Sequence, residues 1–255
     1  MSGSRVDLAT ADGVMDTYTF QPGPPRGSRS GDPSGPWPAI LVYMDAFGIR
    51  PNLDSMAQRL ADAGYVVVVP NLYYRTPFEP FDPKQVFGGD EAERLRFRNQ
   101  IDSIDNTKVM RDTEAILAFL ATAPGVKPPQ VGAVGYCMGG GFAISALGRF
   151  PDRVVVAASF HGGSLATDKA DSPHRLARQM RGKLYVGVAE IDPGFPREQQ
   201  DRLEAALRDG GVDYTLETYL GVKHGFAVTG HMVYDRDASE LHWTKLLELL
   251  KSRLK

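Results

Sequence analysis

Cysteine is nearly absent from this chain, with one in 255 residues. A lone thiol excludes an intrachain disulfide framework and a thiolate zinc site. A basic excess is missing too: formal net charge is −2, with no cationic run of the kind that binds nucleic acid. No apolar stretch approaches bilayer-spanning length, and the first residues lack the basic and apolar regions of a signal peptide. The expected setting is a reducing cytoplasm, with neither membrane nor nucleic acid as partner. Internal repeats are lacking, and histidine is scarce, at five residues. What remains is an ordinary globular composition, 42% hydrophobic and 24% charged, able to bury a core unaided.

The single cysteine stands in Gly135-Tyr136-Cys137-Met138-Gly139. Before it, Gln130–Val134 reads as a buried strand; after it, Gly140–Leu147 reads as a helix start. Strand, sharp turn with small flanking residues, then helix is the context of a nucleophile elbow. Such a turn holds its central residue in strained backbone geometry, and a Cβ two places away would strike neighbouring backbone. A helix N-terminus also favours a thiolate. The pentapeptide alone fits a catalytic thiol and a buried structural cysteine equally well.

Strands and helices alternate around it. Arg5–Leu8 and Met15–Phe20 suggest an N-terminal hairpin, and residues 21–38, rich in Pro, Gly and Ser, a surface loop. Ala39–Tyr43, Tyr65–Val69, Val154–Phe160, Leu184–Ala189 and Asp213–Tyr219 read as strands. Helices are expected over Leu53–Ala63, with Asn52 as cap, and over Thr107–Ala121, Pro173–Met180, Arg197–Asp209 and Asp237–Leu250. This alternation predicts one α/β domain over 1–255, a mostly parallel sheet of about eight strands covered on both faces. Ligands bind beyond the carboxyl ends of such strands. Residues 76–105 break the pattern and fit either a lid or pocket wall, or a solvated loop with a short charged helix.

A cysteine nucleophile needs a base, and the base an orienter. In this architecture they follow in the order nucleophile, acid, histidine, each at a strand end. Asp192 follows the strand ending at Ala189, and His224 the strand ending at Tyr219. His161, after the Val154–Phe160 strand, is the rival histidine, and Glu190 the rival acid. His174 and His242 are expected to be solvated, and His231 to lie in a loop. The oxyanion hole should use two backbone N–H groups, from Met138 after the nucleophile and from Ala46 in the loop after Ala39–Tyr43. Phe47, Tyr136 and Phe226, in the same motifs, and His161 are candidate substrate contacts.

These pieces together resemble the dienelactone hydrolase family of α/β-hydrolases. The resemblance rests on Asp45-Ala46-Phe47-Gly48, Pro70-Asn71-Leu72-Tyr73, Gly135-Tyr136-Cys137-Met138-Gly139-Gly140, Asp192 and His224-Gly225-Phe226. It spans nearly the whole chain and implies Cys137, Asp192 and His224 as nucleophile, acid and base. It also implies hydrolysis of a small ester or lactone, with no metal or organic cofactor. A general carboxylesterase or thioesterase is the alternative, and a redox-sensing protein using Cys137 a more distant one. Two positions depart from the family. Asp45 replaces a glutamate that contacts the resting thiol, so the resemblance implies a thiol-modulating role one methylene shorter; the alternative is that Asp45 hydrogen-bonds its own loop. Val228 replaces an arginine that binds the substrate carboxylate; Arg94, Arg96 and Arg98 are candidate substitutes.

Overall fold

The computed structural model describes residues 3–23 and 35–254. The middle of the expected 21–38 loop therefore lies outside the described residues. The chain opens with the hairpin β1 (Ser4–Thr10) and β2 (Gly13–Phe20), then β3 (Trp37–Tyr43), α1 (Pro51–Asp62) and β4 (Val66–Pro70). Helices α2 (Pro83–Gly88), α3 (Glu91–Asp102) and α4 (Asn106–Leu120) precede β5 (Val126–Tyr136) and α5 (Met138–Arg149). Next come β6 (Val154–Phe160), a 3₁₀ helix at Pro173–Gln179 where a helix was expected, and β7 (Lys183–Ile191). The chain ends with α6 (Arg197–Asp209), β8 (Asp213–Lys223) and α7 (Arg236–Arg253).

The strands form one eight-stranded sheet, ordered β1-β2-β4-β3-β5-β6-β7-β8. The hairpin joins antiparallel through β2 and β4, and all the later pairings are parallel. This is the mostly parallel eight-stranded sheet that the alternation predicted. The β4 run Val66-Val67-Val68-Val69 is buried throughout, as a strand covered on both faces must be. Alternation along β6 shows the two layers. Ser159 faces α5 beside Gly140, whereas Val156 shares the space over Gly132 with Leu250 and Leu254 at the end of α7. Helices α1 and α7 cover that second face together: Arg59 forms a bidentate ion pair with Glu240 and lies over the Trp243 ring, 4.4 Å from its centroid.

The start of α1 differs from expectation. Arg50 holds the capping position and Pro51 opens the helix, while the Asn52 side chain donates to Thr229 O instead. Proline suits a first helical position, where its missing N–H has no partner to lose. The chain steps from β3 outward to β4, then back across β3 to β5. The crevice created by that reversal, beyond the strands' carboxyl ends, is where the loops after β3, β5, β7 and β8 converge. Among the described residues, no helix is long and apolar enough to cross a membrane.

Candidate active site

Cys137 sits between β5 and α5 with φ 54° and ψ −119°, a conformation that L-residues with a Cβ adopt only under constraint. The constraint is steric and comes from the flanking glycines. A Cβ at Gly135 would fall 1.9 Å from Gly139 O, and one at Gly139 2.4 Å from Tyr43 O. The turn is therefore closed against β3, and the thiol stands partly exposed at the head of α5. Met138 opens that helix, so its N–H belongs to the first-turn donors that have no partner within the helix.

Two further strand ends bring the acid and the imidazole. Asp192 follows β7, and its side chain is almost fully buried; Oδ1 accepts the Gly194 N–H at 2.9 Å, and Oδ2 lies 2.7 Å from His224 Nδ1. The His224 N–H donates to Ile191 O at 3.3 Å, which fastens the β8 loop to the end of β7. Asp192 takes Nδ1, and Cys137 lies near enough for its charge to act on the ring. Burial favours the neutral ring, but the Cys137 charge and the Asp192 hydrogen bond outweigh it, and the His224 pKa is pushed up to about 10.

A cavity of about 310 Å³ opens over the sulfur, lined by Cys137, Met138, Ala46, Ile101, Ile104 and Lys169 among others. The two isoleucines come from the 76–105 segment, so this stretch supplies part of the pocket wall. Among the described residues, no group of three His, Cys, Asp or Glu side chains could hold a metal ion.

Several sequence candidates lie elsewhere. Tyr136, Phe226, Phe47 and His161 are buried, and none lines this cavity. Tyr136, next to the elbow residue, points into the core and shares a 3.0 Å hydrogen bond with His242 Nε2. Phe226 packs on Tyr219, and Phe47 on Phe97 and His231. His161 packs edge-on against His224 at 5.2 Å, beneath it rather than in its place. Burial first, then the neighbouring His224, push its pKa well down and keep it neutral. His242 was expected in solvent but is fully buried, and burial lowers its pKa to about 4. His174 is half-buried against Ser172. Glu190 turns away, accepting the Gly221 N–H. Arg94 and Arg98 line a separate apolar hollow with Phe87 and Phe97. Arg96 pairs with Glu93 over the Phe81 ring.

Asp45 takes the loop-bound alternative. It is 3% exposed, and both its oxygens contact the Arg50 guanidinium at 2.5 Å, while Oδ1 accepts the Phe47 N–H at 3.0 Å. His231 Nε2 lies 3.7 Å from Oδ2. Burial would raise the Asp45 pKa, but His231 and Arg50 hold it at about 2. Arg50, with two contacts at 2.5 Å, is the firmer of the two. The carboxylate is thus committed to its own loop and not to the thiol. Arg50 and Lys169 escaped the sequence reading, although Arg50 lies only five residues beyond Asp45, and His231, read as a loop residue, was not linked to Asp45.

Against known proteins, the model of the dienelactone hydrolase family matches residues 27–254. The chain belongs to that family. A relative from Synechocystis sp., bearing the provisional name carboxymethylenebutenolidase, is 29% identical over 227 residues, covering 87% of this chain and 88% of its own. The crystal structure provisionally named a dienelactone hydrolase from Klebsiella pneumoniae superposes with a TM-score of 0.82 at 18% identity, covering 98% of both chains. That of a dienelactone hydrolase-like promiscuous phosphotriesterase from metagenomic libraries gives 0.76 at 21% identity, covering 100% of this chain and 99% of its own. These two likenesses establish the fold. Family membership makes the protein a dienelactone hydrolase-like enzyme acting on ester or lactone bonds of a small molecule.

Proposed function

We propose that this family member hydrolyses small carboxylic esters and lactones with Cys137 as nucleophile. The observation that carries the reading is the line Cys137, His224, Asp192. A strained elbow presents the thiol to an imidazole whose far nitrogen lies 2.7 Å from a buried carboxylate. His224 takes the thiol proton, while Asp192 fixes the ring's tautomer and stabilises the imidazolium. The thiolate attacks the carbonyl carbon, and the π pair moves to oxygen, where the Met138 and Ala46 N–H groups receive it. Collapse expels the alkoxide, which takes the proton from His224; in a lactone it remains tethered to the acyl group. Water, deprotonated by His224, then attacks the thioester, and its collapse releases the acid and restores the thiolate.

The cavity suits a small substrate, and its composition argues against a strict demand for an anionic one. Val228 is buried where the family carries arginine, and among the described residues no arginine lines the space around the sulfur. Its cation is Lys169, which is exposed and lacks the planar fork of a guanidinium. Neutral esters and lactones should therefore compete well with carboxylate-bearing ones. A redox-sensing role for Cys137 would leave the Asp192–His224 pair without a task.

The test is hydrolysis of p-nitrophenyl acetate and a neutral lactone. Cys137→Ala should lose at least about a thousandfold in kcat, and one equivalent of iodoacetamide should inactivate the wild type. A Cys137→Ala variant retaining about a tenth of the activity would exclude the thiol as nucleophile.

A further inference from the structure

Tyr73 lies just beyond β4 and is fully buried, yet it belongs to neither the Cys137–His224–Asp192 line nor the cavity lining. Its hydroxyl donates to Ala46 O at 2.9 Å and stands 3.9 Å from Met138 Sδ. One side chain therefore touches both residues whose N–H groups would hold the oxyanion. Burial, followed by the nearby charges of Asp45 and Cys137, raises the phenol pKa, so the group remains a neutral donor.

The opposite edge of the same peptide is also held. The Ala46–Phe47 unit offers its carbonyl to Tyr73 and its N–H to Asp45 Oδ1 at 3.0 Å. Arg50 in turn grips both Asp45 oxygens. The Gly48 N–H is spent on Asp45 O. With the Phe47 and Gly48 donors occupied, Ala46 N–H is the donor that this loop can turn toward the sulfur, and Ala46 lines the cavity with Cys137. A peptide plane gripped at both ends leaves the preceding residue little torsional freedom. Tyr73 is braced as well, its ring lying against Phe78 at 5.2 Å.

We infer that Tyr73 and Asp45 are positioning residues that clamp the Ala46–Phe47 peptide and so aim the Ala46 N–H at the developing oxyanion. The inference deepens the reading of the site given above and rests on it. It assigns Asp45 to the oxyanion side of the reaction rather than to the thiol. Preorganised donors act on the charge that grows in the transition state, so loosening one lowers kcat and leaves ground-state binding nearly untouched.

The test is Tyr73→Phe, which removes one hydroxyl and keeps the ring against Phe78. For p-nitrophenyl acetate, kcat should fall by about ten- to a hundredfold while KM stays within about twofold. Affinity for a trifluoromethyl ketone, which forms a tetrahedral adduct, should fall in step with kcat/KM. Alkylation of Cys137 by iodoacetamide makes no oxyanion, and its rate should stay within about twofold of wild type. Asp45→Asn should give the same pattern, and the double variant should be little worse than the worse single one, because both grip one peptide. Unchanged hydrolysis in Tyr73→Phe, a parallel drop in alkylation, or additive losses would each overturn the clamp. Failure of the underlying reading would show separately, as wild-type enzyme that still hydrolyses ester after Cys137 is alkylated.

Discussion

At the scale of residues, the proposed chemistry depends on how Cys137 and His224 share charge. The imidazole's ordinary pKa of 6.5 is lifted to about 10 against the pull of burial, chiefly by the Cys137 charge and then by Asp192. A raised histidine pKa means that the protonated ring's contacts favour the folded state fully below 6.5, and are lost as pH rises through about 10. Cys137→Ala removes the main lifting influence. We predict that the His224 imidazole titration, followed by NMR in that variant, falls by more than about one unit. A midpoint left near 10 would assign the lift to Asp192 alone. Asp45 works in the other direction: its carboxylate is held at about 2, so its stabilising contacts are present above the ordinary value of 3.8 and are lost as pH falls through about 2.

At the scale of elements, α2 and α3 stand apart from the body. Helix α3 buries no side chain. The segment is fixed by a small cluster of Phe47, Phe81 and Val86, flanked by Phe78 and Phe97, separate from the main core. The Phe97 ring is central there, 4.9 Å from Phe47 and 5.0 Å from Phe81. Few buried contacts mean a low local opening energy. Amide exchange should therefore be faster across residues 83–102 than in β5, and Phe97→Ala should speed it there by a further tenfold or about 1.4 kcal/mol. Because Ile101 and Ile104 line the cavity, KM should rise in the same variant while the melting temperature changes little. Exchange rates unchanged by Phe97→Ala would mean that the segment is held by contacts other than the aromatic cluster.

At the scale of the whole molecule, a buried charge network ties the N-terminal hairpin to the helical layer. The Arg75 guanidinium meets both oxygens of Asp112 at 2.9 and 2.7 Å, and Asp12 at 2.8 Å, with Asp112 only 1% exposed. Tyr74 Oη also donates to Asp112. Removing one partner of a buried pair costs about 3–5 kcal/mol because the other charge is stranded. Arg75→Ala should therefore lower the melting temperature by roughly 10 °C in a scanning calorimeter. Arg75→Met with Asp112→Leu should recover most of that loss, since no uncompensated carboxylate remains. A single variant melting within about 2 °C of wild type would mean that the network contributes little to stability.

Much of this protein was legible in its sequence because the signals are local. The strands that became the sheet's centre are continuous apolar runs, as burial on both faces requires, and the elbow announces itself through glycines that no larger residue could replace. The order Cys137, Asp192, His224 follows from strand ends, which hydrophobic patterning locates without knowledge of side-chain contacts. Tertiary structure alone decided which polar groups meet across the fold. Asp45 could face the thiol or Arg50, His242 could face water or Tyr136, and Arg96 could face substrate or Glu93; each choice depends on how two elements are oriented. Tyr73 reaches Ala46 across 27 residues of sequence, from the end of one parallel strand to the loop after its neighbour. Apolar periodicity reports which face of an element is buried, whereas the partner of a buried charge or hydroxyl is set only when two such faces come together.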